Sequence, residues 1–115
     1  PDVQFIGFNS QLSRVAVRLN AGRSYSLFIG GSRLDAESVR IGSTSGLISV
    51  AAGSIVEHSR DENLSVLRFE VAIAPETPPG DYSLYIEAFG GGTTVLVGVL
   101  TIEEFLNPWI NYSLY

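Results

Sequence analysis

The 115-residue sequence is defined first by what it does without: it has no cysteine, no methionine and no lysine, and only one histidine and one tryptophan. Without cysteine there is no disulfide scaffold, no thiolate metal site and no cysteine nucleophile. A single histidine, His58, excludes histidine-rich metal clusters, so no metal or other cofactor is expected. The missing lysine removes the phosphate loop. Gly30-Gly31 and the glycines at 90–92 lack the following Gly-Lys-Ser/Thr and read as turns.

Seven arginines, scattered between positions 14 and 68, are the whole cationic inventory against twelve carboxylates, and the formal net charge is −5. Nucleic-acid affinity rests on phosphate contacts from a basic face, which excludes nucleic acid as an expected partner. The same balance disfavours an anionic membrane surface. The longest apolar run, residues 95–100, is interrupted by Gly98 and falls far short of the ~18 apolar residues of a membrane-spanning helix, so no membrane insertion is expected. The opening Pro1-Asp2-Val3 lacks the basic and apolar regions of a signal peptide. Without an initiator methionine the chain is either processed or cut from something longer, and the second is the expectation.

What is present is hydrophobic alternation. Hydrophobic residues make up 45% of the chain and charged residues only 17%, which is enough to fill one core and too little charge for a disordered chain. The period is two nearly everywhere. Val15, Val17 and Leu19 alternate with Arg14, Ala16 and Arg18. Tyr25, Leu27 and Ile29 alternate with Ser24, Ser26 and Phe28. Leu67, Phe69, Val71 and Ile73 alternate with Arg68, Glu70 and Ala72. Tyr82, Leu84 and Ile86 alternate with Ser83, Tyr85 and Glu87, and Val39 and Ile41 flank Arg40. Each set has one apolar face, as antiparallel strands over a shared core require. Residues 3–8 and 95–102 are apolar with less regular alternation. The second reads as apolar on both faces, which predicts a central or covered strand.

Clusters of Gly, Asn, Ser, Asp and Pro separate these runs at short intervals. The count is seven to nine strands, with residues 47–50 and 54–58 as short members. No window of ten residues holds a helical period, Pro108 interrupts residues 103–110, and a single turn is expected at 35–38. Many short strands with regular turns and almost no helix predict an all-β sandwich or small barrel. Residues 1–106 form that unit. Residues 107–115, opening on Asn107-Pro108, form an aromatic tail that is either a linker or a final strand.

The spacing of several segments is familiar. YSLFIGG at 25–31 is followed by Leu34 and by VRIG at 39–42, then by PPGDYSLYI at 78–86 and a last strand with an internal Gly98. This pattern resembles the IPT/TIG group of immunoglobulin-like domains over roughly residues 15–103. The resemblance implies an immunoglobulin-like β-sandwich without a disulfide, serving as a structural or interaction module of a larger surface or secreted bacterial protein. It implies an extracytoplasmic location, neighbouring domains of the parent protein as partners, and no catalytic machinery. Some members bind DNA through basic loops, which this chain lacks.

His58 could serve a Ser-His-Asp triad only with a serine and a carboxylate brought to it, and no nucleophile elbow is present. It reads as a strand-edge residue, and the chain as a non-enzyme. Asp61-Glu62-Asn63 and Glu103-Glu104 offer too few oxygens for calcium, which takes six to eight. Tyr82, just after a Pro-Pro-Gly turn, is expected to send its hydroxyl back to the backbone. The sequons at Asn63 and Asn111 carry little weight. The remaining binding candidates are aromatic: Phe28 and Tyr85 on the outward faces of their strands, and Trp109, Tyr112 and Tyr115 in the tail. Such side chains stack on sugars or anchor proteins, so the alternative function is a carbohydrate- or ligand-binding module with a protein or glycan partner.

Overall fold

The computed structural model describes residues 2–8, 11–13, 16–32, 34–61 and 64–103, and of the strands before residue 16 only the backbone and the Ile6 side chain. Among the described residues the chain forms ten strands and no helix. They are β1 (Asp2–Phe8), β2 (Gln11–Ser13), β3 (Val17–Asn20), β4 (Ser24–Ser32), β5 (Val39–Ser43), β6 (Ile48–Val50), β7 (Val56–Arg60), β8 (Ser65–Ile73), β9 (Gly80–Ala88) and β10 (Thr93–Glu103). They make two sheets. One runs β2-β1-β4-β8-β6, with β7 also on β8, and the other runs β3-β10-β9-β5. Sequence neighbours repeatedly cross between the layers, and the two strand orders are those of an immunoglobulin-like sandwich.

The alternating residues explain why the sheets close on each other. Leu19, Leu27, Ile29, Leu84, Ile86 and Leu100 are completely buried between them, with Phe69 at the centre. Leu34, the apolar residue after the Gly30-Gly31 pair, is buried in the same cluster. The core is apolar throughout, and packing supplies the cross-sheet tie for which antibody domains use a disulfide. The expected turn at 35–38 is present, with the Ser38 N–H donating to the Asp35 carbonyl at 3.0 Å.

Three details differ from the sequence expectation. First, the ladder count is ten, because Gln11–Ser13 forms a separate strand that pairs back on β1; the short strands expected at 47–50 and 54–58 are β6 and β7, which share one edge of β8. Residues 51–54 bridge the two: Ala51 N–H donates to the Glu70 carbonyl at 2.9 Å, and Glu70 N–H donates to Ser54 Oγ at 3.1 Å. Second, the pairing is not wholly antiparallel. β3 runs parallel to β10, from Val17 opposite Leu100 to Asn20 opposite Glu103. The chain enters the second sheet at its far edge, and parallel is the direction in which it then continues into β4.

Third, β10 is covered at one end only. Leu100 and Ile102 are buried, while Val95 is 51% exposed and Val97 82%. The pairing with β9 breaks between Leu96 and Leu100. There Gly98, at φ +64°, takes a left-handed conformation that L side chains seldom adopt, and its N–H donates to Ser83 Oγ at 3.0 Å.

Candidate functional site

The aromatic candidates on the strands face away from the core, as their alternation requires, but they are not free platforms. Phe28 lies opposite Arg68 of β8 in the ladder. It is only 6% exposed. His58 explains part of that cover: the two rings meet edge to face, with centroids 4.8 Å apart and planes at 69°. The register of β7 slips between Glu57 and Ser59, at His58 itself. The histidine therefore belongs to the outer packing of the first sheet, and its role here is that of a lid on Phe28. The expectation of Phe28 as an accessible aromatic is corrected accordingly.

Tyr85 is half-buried on the outer face of β9, directly opposite Gly42 of β5. A Cβ built on Gly42 would come within 2.9 Å of the Tyr85 ring edge and closer still to its phenol end. The tyrosine lies across the space a side chain would fill, covering the glycine's backbone. This close approach accounts for the glycine at the end of VRIG. Trp109, Tyr112 and Tyr115 lie outside the described residues, as do Glu62, Asn63, Glu104 and Asn111.

Tyr82 behaves as its position predicts. Its hydroxyl donates to the Pro78 carbonyl at 2.6 Å, closing the Pro-Pro-Gly corner over which β9 begins. Thr77, buried at the same corner, donates to the Ala74 carbonyl at 2.7 Å.

Alternation alone pointed to neither Phe89 nor the surface beside it. Phe89 is 69% exposed in the β9–β10 turn, held by its N–H on the Ser38 carbonyl at 2.9 Å. It borders a groove of about 400 Å³ on the open side of the sandwich, lined by Ala36, Val39, Ile41, Val50 and Ile55. The signal was available: an aromatic immediately before three glycines stands on a turn and cannot be sealed within a strand. Val95 and Val97 were missed as surface residues, because the uncharged run at 95–102 reads as covered on both faces.

Among the described residues, four of the five arginines form ion pairs. Arg40 meets Glu87 at 2.8 Å, Arg60 meets Glu57 at 2.8 Å, Arg18 meets Glu103 at 3.5 Å and Arg68 meets Glu70 at 3.9 Å. All are exposed, and such pairs contribute about 0–1 kcal/mol each. Asp35 has a pKa lowered from the ordinary aspartate value, chiefly by the Glu37 backbone N–H, then by the Ser38 hydroxyl and the more distant Arg60. Among the described residues no three metal-ligating side chains converge. No helix there is long and apolar enough to cross a membrane.

Fold and surface together define an immunoglobulin-like β-sandwich. No family model matches the chain, and no curated protein matches it significantly. Among solved structures, the chain is similar to domains 4 and 5 of the S-layer protein SbsC, at 11% identity and TM-score 0.45, over 89% of this chain and 53% of that one. It thus spans about half of that two-domain structure. It is also similar to the BIgI domain of the beta protein from S. agalactiae, solved bound to CEACAM1, at 11% identity and TM-score 0.35, over 86% of this chain and 99% of that one. These likenesses concern the fold.

Proposed function

We propose that this domain is a non-catalytic structural or interaction module, of the IPT/TIG type, in a larger extracytoplasmic bacterial protein, where it serves as a spacer or accessory domain. The observation that carries the reading is where the described chain enters and leaves. Asp2 pairs with Ser32, at the end of the sandwich where β4 finishes. Glu103 pairs with Asn20, at the opposite end, just before β4 begins. The described sandwich thus begins and ends at opposite poles, a geometry that supports a spacer between neighbouring domains. The apolar core and the pairing of four of the five described arginines with carboxylates support the same reading.

The tail aromatics Trp109, Tyr112 and Tyr115 belong to this proposal as contacts toward a neighbouring domain. The carbohydrate-binding alternative needs flat, accessible rings, and Phe28 and Tyr85 are both engaged within their sheets. A glycan array probed with the 115-residue chain tests the choice. The spacer reading expects no saturable glycan binding. A saturable glycan whose binding is lost on Tyr85→Ala or Trp109→Ala would replace it with the alternative.

A further inference from the structure

We infer that the Thr93–Val97 segment of β10 is an edge-pairing surface for a second copy of this chain, giving a weak two-fold dimer through antiparallel β10–β10 contact. The inference deepens the module reading by naming a partner surface, and it stands on separate observations.

The first is the direction of the backbone groups. In the β9–β10 hairpin the Ala88 N–H donates to the Gly92 carbonyl at 3.0 Å, which makes that pair a hydrogen-bonded one. Antiparallel pairs alternate, so the next hydrogen-bonded positions are Thr94 opposite Ile86 and Leu96 opposite Leu84. The N–H and C=O groups of Thr93, Val95 and Val97 therefore point away from β9. On that side β3 pairs only with residues 100–103, and no other described strand pairs there.

The second is the side chains that share those positions. Val95 and Val97, 51% and 82% exposed, project from the same outer face. No charged residue occurs between Thr93 and Ile102. Natural edges are blunted by lysine, proline, an inward charge or a very short strand, and this edge has none of these before the Gly98 break. An uncharged, β-branched strand is complementary to itself. A two-fold mate centred on Val95 sets Val95 against its own copy and Val97 against Thr93, with no like charges in register, although each domain carries −5.

The third is length. In an antiparallel mate centred near Val95, the chain turns back at its own residues 89–92, which brings that turn up to the start of β3. The gap along the edge thus matches the straight part of the hairpin and limits pairing to about five residues. So short a contact buries less than the ~1,200 Å² typical of stable complexes, hence a weak association.

Sedimentation equilibrium of the 115-residue chain from about 10 μM to about 1 mM reads this directly. The expected result is a monomer–dimer equilibrium whose dissociation constant rises at least about tenfold in the Val95→Lys/Val97→Lys double variant. Val95→Pro removes an edge-directed N–H and no β9 bond, and it should abolish the dimer in the same way. Amide exchange at Val95 and Val97 should slow with concentration, giving a readout that needs no substitution. A chain that stays monomeric throughout overturns the inference and leaves the spacer reading standing. A dimer indifferent to the lysines, or broken by them with concentration-independent exchange at Val95 and Val97, also overturns it.

Discussion

The two ends of β10 are made of nearly the same residues and live in different surroundings. Leu100 and Ile102 sit between β3 and β9 and are sealed by both sheets. Val95 and Val97, a few positions earlier, have β9 on one side and solvent over their outer face. Gly98 divides the two. Hydrophobicity along a strand reports how well a residue would tolerate burial; the neighbouring strands decide whether it receives it.

The largest test of that contrast is Leu100→Ala, which should cost about 2–5 kcal/mol in urea denaturation through the lost transfer energy and the cavity left behind. Val97→Ala, of similar chemistry but on the bare half, should stay within about 0.5 kcal/mol. Equal losses at both positions would break the comparison. The boundary itself comes next. Gly98→Ala should cost about 1–2 kcal/mol from the left-handed backbone alone. The space is available, since the nearest side-chain atom to an added Cβ, on Asp81, is 3.8 Å away.

Tyr82 anchors the strand that both halves share. Tyr82→Phe should lower stability by about 1 kcal/mol as the bond to the Pro78 carbonyl is lost, seen as a shift in the denaturation midpoint. The smallest effect lies away from β10, at Asp35. Its folded-state pKa lies below the unfolded value of about 3.9, so its turn is fully stabilising above that pH and weakens as pH falls through the lower folded value. Asp35→Asn should therefore flatten this part of the acid limb, seen in denaturation midpoints measured as pH falls from about 5 to below the ordinary aspartate value.

Alternation made most of the sandwich legible. Leu27, Ile29, Phe69, Leu84 and Ile86 occupy the core for the reason their spacing gave: every second side chain meets the opposite sheet. The Tyr82 corner was legible too, because prolines and a glycine fix the turn that aims the hydroxyl. Outer-face environment was not. Phe28 and Val97 have equally outward positions, yet Phe28 lies against a ring brought from β7 by a local slip in register, and nothing in the period of β4 records that neighbour. The parallel β3–β10 ladder was hidden for a similar reason. Strand pattern fixes which face is apolar, whereas edge choice and direction depend on where the connection crosses.

The candidate surface was legible only in part. Val95 and Val97 stood in plain view as β-formers, but reading them as an edge required knowing that β3 stops at Leu100. Tyr85 was placed on the correct face. Its engagement with Gly42 came from cross-strand register, which a single strand cannot disclose.

The β3–β10 ladder also bears on how the chain reaches this fold. It joins residues 17–20 to residues 100–103, closing a loop of about eighty residues. Local hairpins such as β9–β10 close far smaller loops and form at little entropic cost, so the parallel ladder belongs to the slow, high-contact-order part of folding. Until it closes, Leu100 and Ile102 lack their cover and the bare edge of β10 extends from residue 93 to residue 103. The segment that offers a modest contact in the native domain is then, for the interval before β3 docks, a longer and stickier one.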